Sequence, residues 1–374
     1  MDFIKVAAAC PKTRVADVDY NVKNILQCID DAVKNESKFI VFPELCLTAY
    51  TCGDLFLQEY LLNKALDGIF EILESTKDYD TLIAVGAPLL CESTLYNCAF
   101  LLFKGNVLGI VPKSYLPNYS EFYEKRWFTE GLSIEDERVD LPFQKDVPFG
   151  VNLIFSSSIA NFGVEICEDL WVTIPPSSYL SLMGAHIIGN LSASNELVSK
   201  MDYRKSLISN QSARSICSYI YSSAGVHEST TDVLFSGHLL ISENGSLLKE
   251  NDRFQRENEV IYSIVDVFKL KSERMKNLSF RDSSKFINKK PNTIKFEFSD
   301  VSISTFDRFV DKHPFVPSYE KEREVRCKEI FNIQAAGLAK RLEHTGSKKA
   351  IVGISGGLDS TLALLCLLYT SLMA

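Results

Sequence analysis

No stretch of this 374-residue sequence approaches the run of about 20 apolar residues that a membrane-spanning helix needs. No basic-then-apolar leader opens it, because Met1-Asp2-Phe3-Ile4-Lys5-Val6-Ala7-Ala8-Ala9 is too short and too soon interrupted. Its ten cysteines include no C-x-x-C pair, so reduced thiols in a cytoplasm are expected. Positive charge is the minority: 40 Lys and Arg stand against 48 Asp and Glu, a net charge of −8. That balance argues against general nucleic-acid binding and against an anionic membrane surface. Histidine is scarcer still. The five (His186, His227, His238, His313 and His344) stand in no recognisable Cys-His setting, so a cysteine nucleophile here needs a different base.

What is present is ordinary globular material, 46% hydrophobic and 24% charged, with room for about two to three domains. Short apolar runs at Ile4 to Ala9, Phe39 to Phe42, Leu82 to Ala87, Ala99 to Phe103, Val107 to Val111 and Ile159 to Ile166 read as strands. So do His186 to Asn190, Ser218 to Ser223, His238 to Ser242 and Val260 to Val265. Helical spacing of apolar residues marks Asp17 to Glu36, with further helices expected over Phe56 to Glu74, Ser177 to Met183 and Asp202 to Ser215. Strands alternating with helices predict an α/β fold over residues 1–268. Residues 269–320 break the rhythm with charge and with Pro291, Pro314 and Pro317, and read as a linker with an irregular excursion. The basic stretch from Lys269 to Lys290 reads either as a solvated connector or as a phosphate-binding patch.

A second domain begins within 321–374. A helix from Tyr319 to about His344 is followed by Gly346, a strand over Lys349 to Ile354, the turn Ser355-Gly356-Gly357-Leu358-Asp359-Ser360 and an apolar helix. A glycine-rich turn between strand and helix gathers backbone N–H groups at a helix N-terminus, where an anion can bind. It is not a Walker A loop, since no Gly-Lys-Ser/Thr follows the glycines. Too few residues follow Lys348 to bury a core, so this part reads as the start of a domain.

Three strand ends in the first domain carry candidate chemistry. Val164-Glu165-Ile166-Cys167-Glu168-Asp169-Leu170-Trp171 sets Cys167 where an apolar strand meets two acids. A lone cysteine of this kind is either a small core side chain or a nucleophile at the strand end of an α/β sheet. Phe42-Pro43-Glu44 ends another strand on a carboxylate, and Val111-Pro112-Lys113 a third on an ammonium.

With their neighbours, these segments resemble the three motifs of the nitrilase family. Phe42 to Tyr50 resembles its glutamate motif, Pro112 to Arg126 its lysine motif, and Cys167 to Trp171 its cysteine motif, in the family's order. The hexapeptide Ser355 to Ser360 resembles the pyrophosphate loop of ATP pyrophosphatases, which split ATP into AMP and pyrophosphate. A nitrilase-like domain followed by that loop is similar to the family of glutamine-dependent NAD⁺ synthetases.

The resemblance implies a four-layer α-β-β-α sandwich, a linker, and the first β-loop-α unit of a Rossmann-like, adenine nucleotide alpha hydrolase-like domain. It implies a glutaminase with Cys167 as nucleophile and Glu44 as general base. Lys113 and the backbone N–H of Glu168 would hold the oxyanion, with Glu124 positioning Lys113. Tyr119, Ser194 and Lys200 would hold L-glutamine. Gly353, Ile354, Ser355, Gly356, Gly357, Leu358, Asp359 and Ser360 would cradle ATP phosphates, with Asp359 acting through Mg²⁺ or capping the helix. ATP and Mg²⁺ are then expected in the complete protein and neither in the glutaminase step, with no metal site in the first domain. Deamido-NAD⁺ is the expected acceptor of ammonia, and a homo-oligomer is the expected assembly. Most of the dinucleotide site lies outside the sequence, so glutaminase activity without NAD⁺ synthesis is expected of the chain alone. A free-standing amidase or carbamoylase of the nitrilase family is the alternative.

Overall fold

In strand after strand, neighbouring side chains enter different hydrophobic clusters, the period-two pattern of a sheet covered on both faces. The computed structural model describes every residue except Met1, Thr231, Asn288, Lys289, Pro314, Phe315, residues 317–319 and Ala374, with backbone alone over 370–373. The described chain forms two compact units, Met1–Arg308 and Phe309–Ala374.

The first unit begins with β1 (Phe3–Cys10), α1 (Val18–Lys34), β2 (Phe39–Val41), a 3-10 segment over Tyr50–Leu57 and α2 (Glu59–Ser75). There follow β3 (Leu82–Cys91), β4 (Thr94–Phe103), β5 (Asn106–Pro112), β6 (Glu137–Val139), β7 (Val147–Phe149), β8 (Leu153–Ser156) and β9 (Asn161–Ile166). Then come α3 (Pro176–Leu182), β10 (Ile187–Ser192), α4 (Lys200–Arg214), β11 (Ser218–Ser223), β12 (Leu239–Glu243), β13 (Ser246–Glu250) and β14 (Glu259–Asp266). α5 (Val267–Lys276), α6 (Leu278–Ser283) and β15 (Asn292–Lys295) complete the unit.

One sheet has the order β14-β1-β2-β3-β4-β5-β7-β6 and the other β13-β12-β11-β10-β9-β8-β15. Val6, Ala8, Phe39, Val41, Leu82 and Ala84 of the first sheet share a buried cluster with Phe155, Phe162, Val164, Ile187, Leu191 and Ile220 of the second. Ala7, Ala9, Ile40, Phe42, Ile83 and Val85 face the other way, against Val22, Ile25 and Ile29 of α1 and Ile69 and Ile72 of α2. Ile188, Tyr219 and Tyr221 pack against Leu180 of α3 and Ile208 of α4. The layers are therefore helix, sheet, sheet, helix, as the resemblance implied.

Strand direction positions the site. β1, β2 and β3 run parallel, as do β9, β10 and β11. β4 is antiparallel to both β3 and β5, so β5 ends where β3 ends and β4 begins there. The ends of β2, β5, β9 and β10 can thus meet at one rim.

Residues 269–308, expected to belong to a linker, lie within the first unit. β15 adds a parallel edge strand to β8, and Phe296 and Phe298 pack on Phe103 and Phe162. Beyond them, Arg308 donates to the buried Glu243 carboxylate with both terminal nitrogens, at 2.8 and 2.7 Å. The basic stretch is engaged structurally: Lys269 pairs with Glu243, Lys271 with Asp2, Lys276 with Glu273 and Lys285 with Asp282. Arg274 donates to the carbonyls of Ile216, Ala185 and Ser215. Lys289 of that stretch lies outside the described residues.

In the second unit, α7 (Glu320–Thr345) and α8 (Leu358–Met373) pack together, with Phe331 and Tyr369 edge to face at 5.2 Å. Tyr319, where the first of these helices was expected to start, is outside the described residues. The strand expected over Lys349 to Ile354 forms no ladder, and Ile351 is fully exposed. A strand is held by hydrogen bonds to a neighbour, and among the described residues this segment has none to pair with. The loop and the following helix are formed as expected. No described helix is long and apolar enough to cross a membrane.

Candidate functional site

Glu44 follows β2, and its turn contains Leu45 and Ala49 with left-handed backbone. Behind that turn runs Gly86 of β3, where a Cβ atom would stand 2.4 Å from the Leu45 nitrogen and 2.7 Å from the Pro43 oxygen. Only glycine lets the two backbones approach this closely. The Glu44 N–H donates to the Ser192 carbonyl at 3.2 Å, joining the end of β2 to the end of β10 across the sheets.

Lys113, one residue beyond β5, is 1% exposed and Glu44 is fully buried. The Lys113 Nζ donates to Glu44 Oε1 at 2.6 Å and to both oxygens of Glu124 at 2.7 and 2.9 Å. Glu124 opens a short 3-10 turn and also accepts the Tyr50 hydroxyl at 2.7 Å. Burial alone would lower the Lys113 pKa, but Glu124 and Glu44 outweigh it and hold the ammonium well above its ordinary value. Burial raises Glu124, with Lys113 opposing it. One ammonium thus sits between two carboxylates, where an unpaired buried charge would be very costly.

Cys167 closes β9 and starts a 3-10 turn over Cys167–Leu170 with a φ of 45°. A left-handed cysteine is strained by about 1–3 kcal/mol and is retained where surrounding contacts fix it. Asp169 supplies those contacts. Its carboxylate accepts the N–H of Ile166 at 3.0 Å, of Tyr115 at 2.8 Å and of Ser114 at 3.4 Å. The cysteine turn is thereby stapled to the backbone just after Lys113. Burial, and then the Glu44 carboxylate, push the Cys167 thiol up, while Lys113 and the Ala193 backbone N–H pull it down. The balance of these influences favours the neutral thiol at Cys167.

The structure brings Glu44, Lys113, Cys167 and Glu124 into one electrostatic cluster. Around it, the Tyr119 hydroxyl donates to both Glu168 oxygens at 2.9 and 3.0 Å. Lys200 donates to Asn195 and lies 5.1 Å from the centre of the Trp171 ring, and burial lowers its pKa. Ser194 is buried, with its N–H on the Ser223 hydroxyl at 3.2 Å. A cleft of about 220 Å³ opens alongside, lined by residues that include Tyr50, Glu121, Phe122, Tyr123 and Trp127. Tyr50 connects it to Glu124.

Four residues of this neighbourhood escape a reading of the sequence. Tyr50 and Asp169 stand inside motifs but carry no signal of their partners. Arg204, fully buried within α4, bonds Glu196 and the Nδ1 of His238, which makes this rim a dense polar network. Asn97 donates its Nδ2 to Glu44 Oε1 at 2.6 Å. Its one sequence signal is an asparagine inside the apolar strand Leu95 to Phe103, a setting from which asparagine is usually depleted.

In the second unit, Gly356 has a φ of 84°, and a Cβ added at Gly353 or Gly356 would meet nothing within 4 Å. The Ser355 and Ser360 hydroxyls lie 3.3 Å apart at the start of α8. These exposed donors at a helix N-terminus fit phosphate oxygens. Among the described residues no group of three His, Cys, Asp or Glu side chains could hold a metal ion. Asp359 is a lone carboxylate, which suits Mg²⁺ when phosphates and water supply the other ligands.

The family described as carbon-nitrogen hydrolase matches residues 5–272. Over 373 residues the chain is 36% identical to a glutamine-dependent NAD(+) synthetase from Mycobacterium tuberculosis strain H37Rv, a match covering 97% of this chain and 54% of that protein. The chain spans about half the length of the curated relatives it matches. The crystal structure of a glutamine-dependent NAD(+) synthetase from Cytophaga hutchinsonii superposes with a TM-score of 0.64 at 31% identity, over 70% of this chain and 43% of that one. The synthetase structure from Acinetobacter baumannii in complex with ADP matches 99% of this chain and 58% of that one, with a TM-score of 0.59 at 23% identity. At that identity the likeness is one of fold.

Proposed function

This chain belongs to the carbon-nitrogen hydrolase family, and from that premise we propose that its first unit hydrolyses the side-chain amide of L-glutamine. The ammonia released would serve a glutamine-dependent NAD⁺ synthetase. The observation that carries the reading is the buried Lys113 ammonium between Glu44 and Glu124, beside a strained Cys167 at the end of β9.

An ordinary thiol is mostly protonated near neutral pH and burial favours that form at Cys167, so proton transfer to Glu44 would accompany attack. The Cys167 sulfur bonds to the amide carbon, and the carbonyl electron pair moves onto oxygen. Lys113 and the Glu168 N–H, at the start of the turn where N–H groups lack helical acceptors, would stabilise that oxyanion. For Lys113 to do so, one of its two bonds to Glu124 must give way. Collapse breaks the C–N bond, and Glu44 returns the proton to the departing nitrogen. Water then attacks the thioester with Glu44 again taking a proton, which releases glutamate and restores the thiol. Tyr119, Ser194 and Lys200 would hold the amino-acid end, Lys200 as a point charge rather than a fork.

The purified chain given glutamine should release glutamate, and Cys167→Ala should release none. Equal release by both proteins would defeat the reading, as would a folded wild-type chain that prefers simple amides or carbamoyl compounds.

For the second unit, Gly353 to Ser360 would cradle ATP phosphates with Asp359 near Mg²⁺. ATP, when bound, supplies the activation of the carboxylate of deamido-NAD⁺ for amidation. The chain's own residues contribute backbone N–H groups, the Ser355 and Ser360 hydroxyls and the N-terminus of α8. Weaker ATP binding by Ser355→Ala, measured by calorimetry on the full chain, is the expected outcome, and unchanged binding would remove this assignment.

A further inference from the structure

Glu44 must present one oxygen to the thiol while the other is held, and a symmetrical carboxylate does not choose between them by itself. We infer that Asn97 is a positioning residue that makes the choice: with Lys113 it occupies Oε1 and leaves Oε2 as the oxygen that takes the proton. This rests on the proposed Cys167 chemistry and adds to it the group that aims its base.

Three observations converge. Asn97 Nδ2 and Lys113 Nζ both donate to Oε1 at 2.6 Å, whereas Oε2 is buried without a hydrogen-bond partner among the described residues. The Asn97 carbonyl accepts the Lys113 N–H at 2.8 Å, so one residue of β4 fixes both the backbone of the lysine and the side chain of the base. Third, Asn97 is 1% exposed and its own Oδ1 is also without a partner. A purely structural buried asparagine uses both ends of its amide. This one uses its donor end on Glu44 and leaves its acceptor end unsatisfied, so the donor is what the position retains. The amide orientation is forced, because the flipped form would set oxygen against oxygen. Register fixes the place: Asn97 pairs with Pro88 of β3, and Cys98 with Pro112, so the asparagine sits at the same rim as Glu44 and Lys113.

The charged and titratable groups around Glu44 are Lys113, Glu124, Tyr50, Cys167, Glu168 and Glu228. Against that background the Asn97 donor favours the ionised carboxylate. Its removal favours the protonated form, in which Glu44 accepts no proton from the thiol.

The test uses the full chain with Asn97→Leu, which keeps the branched shape and loses the donor, and Asn97→Ser, which keeps a smaller donor and serves if the first does not fold. Glutamate release should fall about tenfold to a hundredfold in Asn97→Leu, the rate equivalent of one hydrogen bond to a charged group, and less in Asn97→Ser. The acidic limb of the kcat/KM profile should move to higher pH in the same order. Iodoacetamide labelling of Cys167, followed by mass spectrometry against pH, should show the same displacement. Variants that lose thermal stability but keep both limbs of wild type would overturn the proposal and leave the glutaminase intact. If the wild type shows no Cys167-dependent release, the glutaminase reading fails instead. The labelling profiles then decide for or against Asn97 by the same displacement.

Discussion

Three N–H bonds leave the Lys113 ammonium, and all three end on carboxylate oxygens. None of the three side chains is more than 1% exposed, so the screening that makes surface ion pairs weak is missing here. Lys113→Met should therefore do two things. It leaves Glu44 and Glu124 buried with no cation between them, and breaking a buried pair in this way costs about 3–5 kcal/mol. The melting temperature should drop, and the remaining activity should fall well below that of a surface-lysine control. Thermal melts at pH 5 and pH 8 would check the cause, since protonated carboxyls relieve the repulsion at the lower pH. A loss of stability equal at both pH values would contradict it.

Among the elements, the segment from β15 to Arg308 works as a strap on the sandwich. Ser299 and Asp300 N–H groups donate to Asp80, which also pairs with Lys38 and Lys104, and the Phe306 ring meets Phe3 edge to face at 5.0 Å. Its last fastening is Arg308 on Glu243, a carboxylate whose side chain is fully buried. Arg308→Ala leaves Glu243 with the half-exposed Lys269 and the Asp266 N–H. A loss of about 3 kcal/mol follows from uncovering such a partner. Earlier cleavage between β15 and Arg308 under limited proteolysis would accompany it. Wild-type melting and cleavage would mean that the aromatic contacts hold the strap by themselves.

At the scale of the whole molecule, the short apolar runs and the helical spacing over α1 were sufficient to give an α/β class, because burial writes itself into apolar residues, whereas the four layers came from the resemblance of the motifs. The rim was legible as three strand ends carrying Glu44, Lys113 and Cys167. β6, β7 and β8 were not: β6 and β7 are three residues long and carry Glu137, Arg138 and Pro148, and β8 is a four-residue run without the longer apolar context that marked β2. β15 was hidden by its charged surroundings, since an edge strand of exposed Lys295 and half-buried Ile294 looks like a connector. Lys349 to Ile354 failed in the opposite sense. Its apolar run is a sound strand pattern, but pairing is a long-range property and the pattern does not carry its neighbour. The partners of Asn97 and Asp169 stayed hidden because a hydrogen bond between residues 53 or 55 positions apart is not written in the local pattern, even where, as at Asn97, the residue is unusual for its strand.

Glu44 and Cys167, the proposed base and nucleophile, ride on different sheets, Glu44 just beyond β2 and Cys167 just beyond β9. Their separation is set by how thick the layer between the sheets is, as the gap of a caliper is set by its spacer. At one place in that layer the sheets are close enough to exclude any side chain. At Gly189 of β10 a Cβ would stand 2.9 Å from Val41 and 3.1 Å from Phe39, both on β2, the strand that leads to Glu44. A misplacement of about 1 Å can cost a hundredfold in rate. Gly189, which has no side chain, therefore helps to gauge the separation of Glu44 and Cys167.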